Sequence, residues 1–294
     1  MNINFLKYKY IYFVFSGILV AGSIVCLAVF GLNPGIDFTG GTILEVAYEE
    51  ERPSVEEARE ILQEIVGPVF VQSTGPNGLL IRMREIDPET HQQVLEVLGK
   101  DYQLKEELRF ESISGLIGGE LTRATIRQIL LALVAVVIYI SLAFRRVQRP
   151  VRSWQYGLAS LIGLFHNLLI TMGVFSVLGA FYGVQITIPI VTALLIILGY
   201  SINDTVVVFD RIRENLVKKI GVTFEDTVNK SLNQTLFRSV STSLTTLFVL
   251  AAILFLGGVT LQYFSLALII GISVGTYASL FLVSPLLTTF KKSG

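Results

Sequence analysis

Six stretches of about twenty mostly apolar residues punctuate the chain, at 11–30, 126–144, 157–178, 186–209, 236–256 and 264–287. A helix of roughly 20 apolar residues crosses the ~30 Å hydrocarbon core of a bilayer. The pattern therefore predicts six membrane-spanning helices. Lys7 and Lys9 precede the first as they would a signal peptide. That stretch is long, however, and Phe30, Gly31, Leu32, Asn33 and Pro34 make a poor small-residue cleavage site, so it is expected to stay as an uncleaved anchor.

Between the first two spans the periodicity changes. Residues 42–48 alternate as a strand. Ser54 followed by Glu57 forms a helix-starting box, and Val55, Ala58, Ile61, Leu62 and Ile65 share one face. Residues 69–73 and 79–84 predict two strands across the turn of Gly75, Pro76, Asn77 and Gly78. Asp87 and Pro88 open a second helix with Val94, Leu95 and Leu98 inward, and 108–113 predicts a last strand. The order β-α-β-β-α-β is that of a ferredoxin-like split unit. The expected fold is thus an α-helical membrane protein, a six-helix bundle with one external α+β domain. Its parts are 1–30 (N-terminal tail and first span), 31–125 (the external domain) and 126–294 (the other five spans and their basic loops).

Charge sets the expected orientation. Residues 31–125 hold 18 acidic and 8 basic side chains, a net of −10, and the rest of the chain carries +10. The basic residues flank the spans on one side only: Lys7 and Lys9; Arg145, Arg146, Arg149 and Arg152; Arg211, Arg213, Lys218, Lys219 and Lys230; Lys291 and Lys292. By the positive-inside rule both termini are cytoplasmic. This distribution is a membrane signature, with no nucleic-acid partner implied. Lone Cys26 and the separated His91 and His166 suggest no disulfide and no metal site. No nucleophile–base pair or phosphate loop points to an enzyme, and no cofactor is expected.

Two ionisable residues stand inside predicted spans, where a charge at the bilayer centre costs roughly 2.5–3.5 kcal/mol. Asp204 has apolar flanks, with Tyr200, Ser201, Asn203 and Thr205 on or beside its face. Arg238, near the start of the next span, is followed at i+3, i+4 and i+7 by Ser241, Thr242 and Thr245. Antiparallel neighbours would hold Asp204 and Arg238 at similar depth. Burial and a guanidinium act on a carboxylate in opposite senses, so the pair outlines a proton relay. Gly271, Gly275 and Ser279 form a small-residue stripe expected to pack helices closely.

The run GIDFTGGT at 35–42, the run GYSINDTVVVFDRIREN at 199–215 and Arg238 with its hydroxyls through Thr246 closely resemble the SecF family of bacterial preprotein translocase subunits. The resemblance covers essentially the whole chain. It implies membership of the proton-driven RND-type superfamily, a complex with SecD, and association with the SecYEG channel and a translocating preprotein, with SecA acting earlier. It implies use of the proton-motive force in late export across the bacterial inner (cytoplasmic) membrane. It places Asp204 and Arg238 in the proton path, next to an acidic residue of SecD, and makes Asp37, Gly40 and Gly41 a coupling or structural motif. One departure is visible: Ser114 and Gly115 stand where the family usually has Gly-Pro, which implies a softer link. The alternative is half of an RND-type exporter of small molecules or lipids, against which the single compact external domain counts.

Overall fold

The structure is a computed structural model that describes residues 3–144, 151–257 and 259–290. Arg145, Arg146, Arg149, Lys291 and Lys292 lie outside the described residues. Two compact units are present, Met1–Asn33 with Arg127–Gly294, and Pro34–Ile126.

Among the described residues six helices are long and apolar enough to span a membrane, and the protein is membrane-embedded. They are built from α1 (Lys9–Phe30), α5 (Gly115–Ala143), α6 (Ser153–Tyr182), α7 (Ile188–Val217), α8 (Phe224–Leu256) and α9 (Val259–Tyr277), with α10 (Ser284–Thr289) completing the last span. All lie in the first unit except the opening turns of α5, up to Ile126, which belong to the second. Between α9 and α10 the chain forms a π-helix, Ala278–Val283. The Ser284 hydroxyl donates to the Ser279 carbonyl (2.7 Å) inside this wider turn. A π segment here suits Pro285, which has no N–H to give to a preceding carbonyl. Helices α6, α7 and π-linked α9 make the buried centre, while α1, α5 and α8 keep broad apolar faces exposed.

Two helices start well before the apolar stretches that announce them. At α8 the Thr223 side chain accepts from the Asp226 N–H (3.1 Å), capping a polar first section that precedes the expected span by twelve residues. That section also grips the start of the chain. Asn233 accepts from the Ile3 N–H (2.8 Å) and donates to the Ile3 carbonyl (2.8 Å), and Asn229 accepts from the Phe5 N–H (2.8 Å). The Phe5 ring is buried against Phe281.

The second unit contains α2 (Ile36–Thr39), β1 (Gly41–Tyr48), α3 (Val55–Val66), β2 (Phe70–Thr74), β3 (Gly78–Met83), α4 (Pro88–Leu98) and β4 (Leu104–Ile113). The antiparallel sheet runs β2-β3-β1-β4, the interleaving of a split βαβ unit, as expected. Register places Leu44 opposite Ile81 and Val46 opposite Leu79, and these pack with Ala58, Leu62, Val66, Val94 and Leu98. Ser54 accepts from the Glu57 N–H (3.1 Å) in the anticipated capping box, and Asp87 accepts from the Thr90 N–H (2.8 Å).

The double glycine has a steric reason. Gly40 and Gly41 adopt φ of +74° and +131°, conformations that L side chains rarely adopt. A Cβ on Gly40 would stand 2.6 Å from Gly115 Cα, and one on Gly41 would stand 2.7 Å from the Met83 carbonyl oxygen. Asp37 is half-buried in the first turn of α2. Arg109 on β4 is held above its ordinary pKa first by its two hydrogen bonds to Glu111, against the effect of burial, with the charges of Glu45 and Asp37 adding.

Candidate functional site: a buried carboxylate in the helix bundle

Asp204 lies on the inner face of α7 and is 3% exposed. Its Oδ2 accepts from the Ser243 hydroxyl of α8 (3.4 Å) and the Thr276 hydroxyl of α9 (3.2 Å). Those two oxygens are themselves 2.6 Å apart, and Thr276 also reaches the Ile272 carbonyl (3.0 Å). The three oxygens form a closed ring with an outlet. With the carboxylate ionised, both hydroxyls can turn toward it. With it protonated, its own O–H can donate into the ring while Thr276 turns to Ile272. Either proton state is thus accommodated by rotating hydroxyls, without moving a helix.

A second polar group joins α6 to α7. Asn167, fully buried, donates through Nδ2 to Ser201 Oγ (2.6 Å), and its Oδ1 lies 3.0 Å from His166 Nδ1. Glycine makes the approach of α9 possible. A Cβ on Gly275 would stand 3.2 Å from Asn167 Nδ2 and 3.5 Å from Ser201 Oγ, and Gly271 lies against Ile197. The small-residue stripe therefore does more than pack the bundle: it brings Thr276, the next residue, within reach of Asp204.

The other expected site residues are distributed unevenly. Ser201 and Thr205 are buried, and Thr205 donates to the Ser201 carbonyl (3.0 Å) along its own helix. Tyr200 is half-buried with its hydroxyl 3.4 Å from Thr246 Oγ1, and Asn203 is exposed. Arg238 is exposed, and the ion pairs among the described residues do not join it to Asp204. Thr242 and Thr245 are exposed and bond back to their own helix, at the Arg238 and Thr242 carbonyls (both 2.8 Å). Ser241 is half-buried.

The expected hydroxyl face of α8 is thus one position out of phase. The inward residues are Ser231, Thr235, Ser239 and Ser243, at steady four-residue spacing. Equal depth on antiparallel helices constrains height and leaves rotation free, so Arg238 can match Asp204 in depth while its hydroxyl neighbours lie on an adjacent face. The regular four-residue hydroxyl repeat was the signal that would have found Ser243. Asp210, by contrast, pairs with Arg213 (2.6 Å) at an exposed position.

Fold and site together define a polytopic membrane protein with a buried carboxylate in a hydroxyl-lined bundle. The family description "Protein export membrane protein SecD/SecF, C-terminal" matches residues 93–293, and "SecD/SecF GG Motif" matches 27–51. A protein translocase subunit SecF of Thermobaculum terrenum is 38% identical, covering 98% of this chain and 94% of that protein. One from Sebaldella termitidis is 36% identical, covering 99% and 94%. The crystal structure of SecDF, a translocon-associated membrane protein from Thermus thermophilus, superimposes with a TM-score of 0.86 at 34% identity. It is matched over 99% of this chain, which spans 39% of that longer one. The chain belongs to the SecD/SecF family of protein-export membrane proteins and is an accessory component of Sec translocation.

Proposed function

We propose that this chain works with SecD at the SecYEG channel and uses the proton-motive force to promote late steps of preprotein export across the bacterial cytoplasmic membrane, after SecA has driven the earlier ones. The observation that carries the reading is Asp204: a nearly inaccessible carboxylate, in a span, held by two hydroxyls that suit either proton state. An ionisable group kept inside a membrane at such cost marks an ion path by default. Moving one charge across the membrane yields roughly 2.3 kcal/mol per 100 mV, enough to bias a conformational cycle.

Arg238 remains in the path on this reading, supplied to a partner rather than to Asp204 inside the chain. It is exposed on α8, on a side shared with exposed Thr242, Thr245 and Val249 that another membrane helix can cover. The longer SecDF chain supports a second subunit as the cover; on this reading SecD brings the acidic group. Basic residues at Lys7, Lys9, Arg211, Arg213, Lys218 and Lys219 support a reading with both termini in the cytoplasm and the α+β unit outside, where it would meet emerging chains. Asp37, Gly40 and Gly41 couple that unit to the membrane cycle.

The test uses inverted vesicles carrying the complete translocase with SecD. Asp204→Asn keeps the shape and removes the titration. Export should lose its response to an imposed proton gradient while ATP-driven export continues. An undiminished response removes Asp204 from the mechanism.

A further inference from the structure

We propose that His166 is a second proton-holding group of this bundle and that it, inside the chain, is the cation-capable partner of Asp204. The inference rests on the relay reading of Asp204 and deepens it. His166 lies near the middle of α6, 4% exposed. The amide nitrogen of Asn167 is committed to Ser201, so its oxygen faces the imidazole. That oxygen accepts, which makes Nδ1 the N–H and leaves the lone pair on Nε2.

Nε2 is buried and has no hydrogen-bond partner. A histidine kept only for packing would gain by satisfying both nitrogens, whereas one that must accept a proton needs a vacant lone pair. His166 lines a cavity of about 400 Å³ bounded by Phe13, Ser16 and Gly17 of α1 and by Ile162 and Phe165 of α6.

Protonation at Nε2 takes a proton from a hydronium ion driven in by the proton gradient, breaking one O–H bond of that donor and leaving water; it breaks no bond in the cluster, because the Nδ1–H to Asn167 contact serves both states. The resulting cation is connected through Asn167 to Ser201, one helical turn before Asp204 on α7. Of the titratable groups on the elements packed around the imidazole, Tyr277 of α9 stacks on it at 6.3 Å, and Tyr12 of α1 lies beyond, its carbonyl accepting from the Tyr277 hydroxyl. Tyr200 of α7 turns instead to Thr246. Charged residues Lys9 and Asp210 belong to the helix ends. Asp204, three residues beyond Ser201 on α7 and bonded to Ser243 and Thr276 rather than to Ser201, is the buried carboxylate beside this chain, and on the proposal the two titrate as a coupled pair.

The chain has two histidines, His91 and His166, so nitrogen-15 histidine NMR resolves the question on the full chain with SecD in lipid vesicles. His91→Gln assigns the signals while leaving His166 native. The expected result is an Nδ1-protonated neutral ring that becomes imidazolium between about pH 9 and pH 5, with a midpoint displaced by more than ~0.3 pH unit in Asp204→Asn. A ring that stays neutral throughout, or a smaller displacement, overturns the proposal. A second arm follows proton-driven export against pH in His166→Gln. A displaced profile supports the proposal, and an unmoved one overturns it while leaving the relay standing. Loss of the relay itself is read separately, from export by Asp204→Asn.

Discussion

Replacing Gly40 by alanine perturbs the α+β unit at one atom, and the structure supplies the size of the effect. The added Cβ would lie 2.6 Å from Gly115 Cα and 2.7 Å from Gly115 N, both backbone atoms that have no rotamer to escape into. Overpacking of this kind costs about 1–3 kcal/mol. The φ of +74° adds the left-handed penalty of an L residue, about 1–2 kcal/mol. Together they predict a loss of about 2–5 kcal/mol. Gly119, on the first turns of α5, is the control, since a Cβ there meets nothing within 4 Å. Helix propensity alone then acts, and Gly119→Ala should stabilise by about 0.5–1 kcal/mol. Amide exchange at Leu44 and Ile81, whose residues pair across β1 and β3, reads the opening free energy of the unit directly in the full-length protein. Opposite signs for the two variants are expected. A Gly40→Ala protein that matches the parent within about 0.5 kcal/mol would refute the steric account of the double glycine.

Tyr48 is buried on β1 with an unpartnered hydroxyl, and burial, then the neighbouring Tyr102 charge, push it up to about 12. Tyr48→Phe should therefore stabilise the unit by about 1 kcal/mol at neutral pH. Its raised folded value means the native contribution is whole below pH 10 and lost as pH rises toward 12, so the variant should also flatten the alkaline limb of a pH-stability curve. Asn229→Leu with Asn233→Leu removes the hydrogen bonds that hold Ile3 and Phe5, worth about 2 kcal/mol together. Trypsin should then cut faster at Lys7 and Lys9, and an unchanged rate would contradict the clamp. Thr276→Val opens the oxygen ring at Asp204 and should slow proton-driven export about 10-fold, as expected for a lost bond to a charged group of roughly 1.5 kcal/mol. An unaltered rate would show the ring to be dispensable.

Periodicity was legible wherever one physical cause acted alone. The capping box of Ser54 and Glu57, the Asp87 cap and the turn at Gly75–Gly78 are local, and each sits where the chain announces it. Strand β4 begins at Leu104, four residues earlier than its pattern implies, because Lys105, Glu106 and Glu107 lie on an exposed sheet edge that needs no apolar alternation. The early starts of α5 and α8 have the same origin, since hydropathy marks the lipid-crossing part of a helix and not its hydrogen bonds. At the site, Asp204 announced itself by being costly. Its companions did not, because Ser243 and Thr276 are ordinary hydroxyls whose significance depends on helix rotation. The π-helix Ala278–Val283, close after Thr276, also depends on register beyond any local pattern.

The account turns on whether Asp204 takes up and gives off a proton within the bundle. Infrared difference spectra of the complex with SecD in oriented vesicles, recorded as the pH is stepped, observe the carbonyl stretch of a protonated carboxyl group directly. The account predicts a buried carboxyl band that rises and falls with the step and vanishes in Asp204→Asn. A spectrum in which that substitution leaves the band untouched, or in which the native protein shows none at any pH, would contradict it.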